Sequence, residues 1–204
     1  MSNTPRQKSF SQFTLEEALE QLQLDVLTLW QPDFAEKAPS AFFTENLRRL
    51  DAFDLLRSEG AKTLLIDAFF EEAIQPYTRL RIFKESTLRA EIASGVVDYL
   101  VAPRRLVASP PLLCVVEAKK DNFEKGLAQC LIELHACAEN NRAVGREHTL
   151  FGIVTNGQGW QFYRLETSGE VFETGLFSST NTAQLLGMLD GLFAHCTEQL
   201  EETR

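Results

Sequence analysis

Two apolar segments of this chain end in, or are broken by, residues that can do chemistry. In "GVVDYLVAP" the run is interrupted by Asp98, and "PLLCVVEAKKD" closes its own run with Glu117 and Lys119. Carboxylates supply hard oxygen ligands for magnesium or manganese, and an amine beside them can serve as their counter-charge. Alternate residues of a strand share a face. Leu113, Val115, Glu117 and Lys119 therefore point one way, and Val96, Asp98 and Leu100 share a face of the strand before. If the two segments form an antiparallel hairpin, Asp98 opposite Glu117 centres it between Val107 and Ala108. That centre falls inside the connector "APRRLVASPP", where a hairpin loop has to be. Two carboxylates side by side on one ladder repel. Solvation of an exposed strand end, with Lys119 as counter-charge to Glu117, would offset this. A shared divalent cation would also do so. The spacing alone leaves both open.

The elements that must position these residues follow from periodicity. "TLEEALEQLQL" starts with a capping-box pattern, Thr14 with Glu17 three residues on, and predicts a helix. "AFFTENLRRLDAFDLLRS" is mostly helical, and "AKTLLIDAFFEEAIQ" is a second helix closed by Pro76. The period then changes to that of strands over "RLRIFKESTLRAE", "GVVDYLVAP" and "PLLCVVEAKK". A helix, "FEKGLAQCLIELHACAENN", comes next. Three strands follow, with turns at Asn156-Gly157 and Ser168-Gly169, and a closing helix from Asn181. This order predicts an α/β (α+β) domain in which helices cover a mixed central β-sheet, rather than a βαβα alternation.

Two of these helices carry further polar residues toward the sheet. On a wheel of "AKTLLIDAFFEEAIQ", Asp67 and Glu71 fall in the polar gap, whereas Glu72 falls between Ala61 and Leu65 with Ala68 beside it. A carboxylate on that side needs a partner. It would be an arginine, the helix edge, or the site around Asp98. In the helix after Glu117, Phe123, Leu127, Cys130, Leu131 and Leu134 form the apolar stripe, flanked on one side by Gln129 and Glu133.

Composition narrows the class. The 204 residues are 44% hydrophobic and 24% charged, ordinary values for one globular domain. No stretch approaches the roughly 18 apolar residues of a membrane helix, and "MSNTPRQKSFSQF" has no apolar signal core, so the expected location is cytoplasmic. Cys114, Cys130, Cys137 and Cys196 show no zinc spacing and suit reduced thiols in a core. The net charge of −9 argues against a protein that coats nucleic acid nonspecifically. The charge is uneven, however. Residues 79–125 hold nine Lys/Arg against six Asp/Glu, and the remainder holds eleven against twenty-three.

Taken together, "GVVDYLV … LLCVVEAKK" resembles the core of the PD-(D/E)XK nuclease superfamily, which has the restriction-endonuclease-like fold. Asp98 matches the motif's aspartate, and Glu117 and Lys119 its E-x-K with Ala118 between. Glu72 stands for the acidic residue often carried by the helix before the sheet, with Glu71 adjacent. Gln129 in "GLAQCLIE" is similar to the glutamine on the helix after the E-x-K strand. "LFGIVTNGQGWQFYRL" looks like a hairpin of the N-terminal nuclease domains of type I restriction subunits and of small stand-alone cyanobacterial proteins of unassigned role. Val97 replaces the nominal motif's proline. The resemblance covers about residues 61–165 of a single domain. Residues 1–60 form an N-terminal helical extension, and a further helix closes the C-terminus.

The resemblance implies a metal-dependent nuclease acting on nucleic acid, DNA first. Asp98, Glu117 and the Ala118 carbonyl would hold Mg2+ or Mn2+. Lys119 would orient the attacking water. Glu72 would assist directly or through a metal-bound water, and Gln129 would position Lys119 or the nucleic-acid backbone. Arg104, Arg105, Lys120 and Lys125 are the foremost phosphate-contact candidates, with Arg79, Arg81 and Lys84 behind them. A homodimer or a protein partner is compatible with the sequence; a membrane is not expected. The alternative is an inactive nuclease-like module that binds DNA or a protein without cutting.

Overall fold

The capping box forms as its sequence implies. The Glu17 N–H donates to Thr14 Oγ1 at 3.2 Å and the Thr14 N–H to Glu17 Oε2 at 2.8 Å, and α1 runs over Leu15–Leu22. The computed structural model describes residues 7–55, 59–118 and 122–201. Within them, α2 spans Ala41–Leu50, α3 Glu59–Ile74, α4 Phe123–Arg142 and α5 Thr182–Gln199. The strands are β1 Lys8–Ser9, β2 Thr28–Leu29, β3 Leu80–Arg89, β4 Ala93–Pro103, β5 Cys114–Ala118, β6 Leu150–Thr155, β7 Gly159–Leu165, β8 Val171–Glu173 and β9 Phe177–Ser178. They form one mixed sheet in the order β1-β4-β5-β6-β7-β8-β2, with β3 also on β4 and β9 also on β7. This is the α/β class that the alternation of periods implies. No helix among the described residues is long and apolar enough to cross a membrane.

β5 is an interior strand of the sheet, and its Cys114 to Glu117 are all buried. It pairs antiparallel with β4 and parallel with β6, and α4 makes the crossover between the parallel strands. Alternation then divides the strand between two cores. Val115, with Leu100 and Ala102 of β4, belongs to the cluster under α1 and α4, while Cys114 and Val116 face α3 and α5. Each such aliphatic side chain stabilises the fold by about 1.5–3 kcal/mol. The four cysteines are all buried and unpaired by disulfides, and serve as packing.

Residues 1–60 are more than the extension expected of them. Phe10, Phe13 and Ala18 are part of the core cluster under α4, and Phe43 of α2 is part of the other, edge-on to Phe69 at 5.0 Å. The first strand also has a topological role. Ser94 of β4 pairs with Arg89 of β3 on one edge and with Ser9 of β1 on the other. Tyr99 likewise pairs with Lys84 of β3 and with Val116 of β5. β1 and β5 therefore share one edge of β4, end to end. Between Ser94 and Tyr99 neither ladder covers that edge.

Candidate active site

A cleft opens at that gap in the sheet. Ser9, Phe10 and Ser11 wall it on the β1 side, Val96 and Asp98 supply the β4 edge, and Glu117, Ala118 and Gln129 close it, around about 360 Å3. The β4–β5 register reads Tyr99↔Val116, Leu100↔Val115 and Val101↔Cys114. Continued by one pair, it sets Asp98 opposite Glu117, the alignment expected from the position of the connector. Asp98, half-buried, accepts a hydrogen bond at Oδ2 from the Ala118 N–H at 2.8 Å. Its carboxylate thus fixes the end of β5 through a backbone group.

Glu117 is 1% exposed. Its Oε2 accepts from Gln129 Nε2 at 2.6 Å, and the same nitrogen donates to Glu133 Oε1 at 2.9 Å. One amide bridges two carboxyl groups. The reason lies in the layering. α4 is packed between the sheet and α1, so its residues from Gly126 to Leu134 are buried on all sides, the flank with Gln129 and Glu133 included. Burial first, and the neighbouring Glu117 charge second, push the Glu133 carboxyl well above the usual carboxylate range. Its Oε2 has no hydrogen-bond partner among the described residues. Glu133 was read from the sequence only as a flank of the stripe. The signal that could have singled it out is its setting in "LIEL", a carboxylate enclosed by aliphatic residues on a central helix.

Asp98 and Ala118 also line a second cleft, of about 310 Å3, on the side of α3. Its other walls include Lys62, Thr63, Lys84 and Glu85. Lys84 is tied to Asp67 at 2.7 Å, and Tyr99 donates its hydroxyl to the same carboxylate at 2.9 Å. Glu85 stands between the pairs Lys84↔Tyr99 and Ser86↔Val97, across β3–β4 from Asp98, with φ +50°. A left-handed glutamate is uncommon, and no sequence pattern announces it.

The other sequence candidates are distributed as follows. Glu72 is not at either cleft. Its Oε1 accepts the Ser40 N–H at 2.7 Å and its Oε2 the Ser40 hydroxyl at 2.9 Å, so it secures the N-terminus of α2. The expectation that it would join Asp98 is corrected by distance along the helix. The second cleft meets α3 between Gly60 and Ile66, and Glu72 lies six residues beyond Ile66, about 9 Å at 1.5 Å per residue. Lys125 is exposed in the first turn of α4, one turn before Gln129. Arg104 and Arg105 are exposed at the far end of the β4–β5 hairpin, six residues and about 20 Å along the strand from Asp98, so they do not gather at the cleft. Lys119 and Lys120 lie outside the described residues.

The donor set can be weighed against the cation expected there. Among the described residues no group of three or more His, Cys, Asp or Glu is arranged to hold a metal ion. The set lining the cleft is the two carboxylates of Asp98 and Glu117, hard oxygens, beside Ala118. This suits magnesium, which is held through one or two carboxylates and keeps several waters. The residues present fit the group.

Comparison with known proteins adds no assignment. No family model matches the chain, and no curated protein matches it.

Proposed function

We propose that this chain is a metal-dependent phosphodiesterase that hydrolyses nucleic acid, DNA in the first instance. What carries this conclusion is the β4–β5 register, which, continued by one pair, sets Asp98 opposite Glu117 at one cleft, two residues before Lys119 in the chain. Asp98, Glu117 and the Ala118 carbonyl would hold Mg2+ or Mn2+. When bound, such an ion polarises a phosphoryl oxygen and lowers the pKa of a water. Gln129 holds the Glu117 carboxylate in place through its amide, and Asp98 is held by the Ala118 N–H, so both are pre-positioned. Lys119 would orient the attacking water and balance charge on the reacting phosphate. Lys125, exposed on the turn of α4 before Gln129, is a candidate for a flanking phosphate contact. Four buried, unbridged cysteines support a cytoplasmic location.

The test is incubation of single- and double-stranded DNA and RNA with the protein and magnesium or manganese. Metal-dependent cleavage is expected, and Lys119→Ala should abolish it. Cleavage undiminished in that variant would trace the activity to another source.

A second reading, a nuclease-like module that binds without cutting, draws on one observation. Glu117 is almost fully enclosed and shares Gln129 with Glu133. It gains ground if no nucleic acid is cut under any metal while binding to DNA or a protein persists.

A further inference from the structure

The β6–β7 turn brings one more polar side chain to the cleft on the side of α3. Asn156, half-buried, lines that cleft together with Asp98 and Ala118. It follows Thr155, which pairs with Ala118 at the end of the β5–β6 ladder. The turn is held from several directions. The Gly157 N–H donates to Thr155 Oγ1 at 2.9 Å, Thr155 donates to the Gly159 carbonyl at 2.8 Å, and Trp160 Nε1 donates to the Gly157 carbonyl at 3.0 Å. Trp160 is itself buried, edge-on to Phe69 and Phe70 of α3 at 5.7 and 5.5 Å. Asn156 therefore stands on a rigid mount.

The turn uses one half of this amide. Asn156 Oδ1 accepts the Gln158 N–H at 3.1 Å and the Gly159 N–H at 2.8 Å. Two N–H donors converging on one atom require it to be the oxygen, and this fixes the orientation of the NH2 group. An aspartate would serve the turn equally well, because the turn needs only an acceptor. The NH2 half is surplus to it. The other neutral side-chain donors lining the cleft are committed. Thr63 donates to the Gly60 carbonyl at 2.7 Å, and Tyr99 donates to Asp67 Oδ1 at 2.9 Å. Asn156 Nδ2 donates to no group among the described residues.

We propose that Asn156 binds the substrate directly, its NH2 group donating to a non-bridging phosphate oxygen of the bound strand. The proposal rests on the phosphodiesterase reading above and adds a contact to it. A phosphate entering this cleft has to approach Asp98 and Glu85, both acidic. A fixed neutral donor eases that approach without a positive charge that would compete with the cation for the carboxylates. A hydrogen bond to a charged oxygen is also stronger than one between neutral groups.

Fluorescence anisotropy of labelled single-stranded and duplex DNA, with the full chain and calcium in place of magnesium, measures affinity. Cleavage in magnesium supplies kcat and KM. Asn156→Asp keeps the acceptor that the turn needs and loses the donor. Its melting curve should match the wild type's while its affinity falls about tenfold or more. Asn156→Ser, whose hydroxyl also accepts in such turns, should lose about as much, and it decides the outcome if the aspartate variant does not fold. Gln158→Glu makes the same change of charge at an exposed neighbour and should bind and cut as the wild type does. Affinity and cleavage unaltered in Asn156→Asp overturn this proposal alone. An equal loss in Gln158→Glu overturns it too, because the effect would then be one of charge. A wild type that neither binds nor cuts DNA overturns the phosphodiesterase reading along with it.

Discussion

The Ala118 N–H donates to Asp98 Oδ2 at 2.8 Å, so the end of β5 is fastened to β4 by a side chain where a regular ladder would use a carbonyl. An asparagine at position 98 keeps an oxygen that can accept this bond and loses the charge facing Glu117. Asp98→Asn is therefore expected to leave the protein without metal as stable as the wild type, or more so. Manganese or magnesium should raise the melting temperature of the wild type and not that of the variant. Mass action sets the scale, about 2.7 kcal/mol at a hundredfold excess over the dissociation constant. Melting curves with chelator and with millimolar manganese check this. Identical wild-type curves in both would argue against a competent cation site.

The bridge from Gln129 to Glu117 and Glu133 makes a paired expectation. Gln129→Ala removes the donor shared by two buried carboxyl groups and should cost about 3 kcal/mol in urea unfolding. Glu133→Gln keeps the shape and removes the ionisable group, and should cost little or stabilise.

The same pair has a pH signature. The Glu133 carboxyl titrates above its ordinary value of 4.5 in the folded protein. Above that value the unfolded chain releases the proton and the folded chain retains it. Unfolding therefore becomes more favourable as pH rises toward the folded value. The stability of the wild type relative to Glu133→Gln should fall between acidic and neutral pH. A difference that grows toward low pH instead would overturn this assignment.

Glu72 is expected to matter for stability and little for cleavage. Glu72→Ala deprives the Ser40 N–H and hydroxyl of their acceptor and should cost about 1 kcal/mol. A double-mutant cycle with Ser40→Ala should return most of that as coupling energy. Loss of all cleavage with an unchanged melting curve would restore a role at the site.

Gly152 permits the close approach that holds α4 on the sheet. A Cβ there would lie 2.5 Å from Cys130 Sγ and 3.0 Å from Leu134 Cδ1. Gly152→Ala should destabilise by about 1–3 kcal/mol. The adjoining Gln129 would shift with α4, so cleavage should fall further than stability alone explains. A melting temperature equal to the wild type's would show that α4 can yield.

The chain announces its fold where local patterns coincide with tertiary ones. β5 is a continuous apolar run because both its faces are covered, and the Asp98–Glu117 alignment was legible because the connector left one place for the turn. Glu72 was misplaced because a helical wheel gives direction around an axis and not distance along it. The partner that claims it, Ser40, is thirty-two residues away. Glu133 stands out in the sequence only as a flank of the apolar stripe, because no local pattern shows that α1 lies on the outer side of α4. The wall formed by Ser9, Phe10 and Ser11 was invisible for the same reason. Two-residue strands carry no periodicity, and pairing with Ala93 and Ser94 is a wholly nonlocal choice.

That wall has a consequence for how the cleft breathes. Its backbone is attached by a ladder of only two residue pairs, while Gln7 Nε2 donates to the Ala90 carbonyl at 2.6 Å and the Phe10 and Phe13 rings anchor it in the core, Phe10 lying where a Cβ on Gly95 would come within 2.8 Å. β5, by contrast, is held on both edges and both faces. Amide exchange should therefore report two free energies, a lower one for the two-residue ladder of β1 and the full unfolding value for β5. The carboxylates stay fixed while the β1 ladder frays about its Phe10 anchor, so a polymer meeting the uncovered edge of β4 would find a pliable backbone rim beside rigid acidic groups.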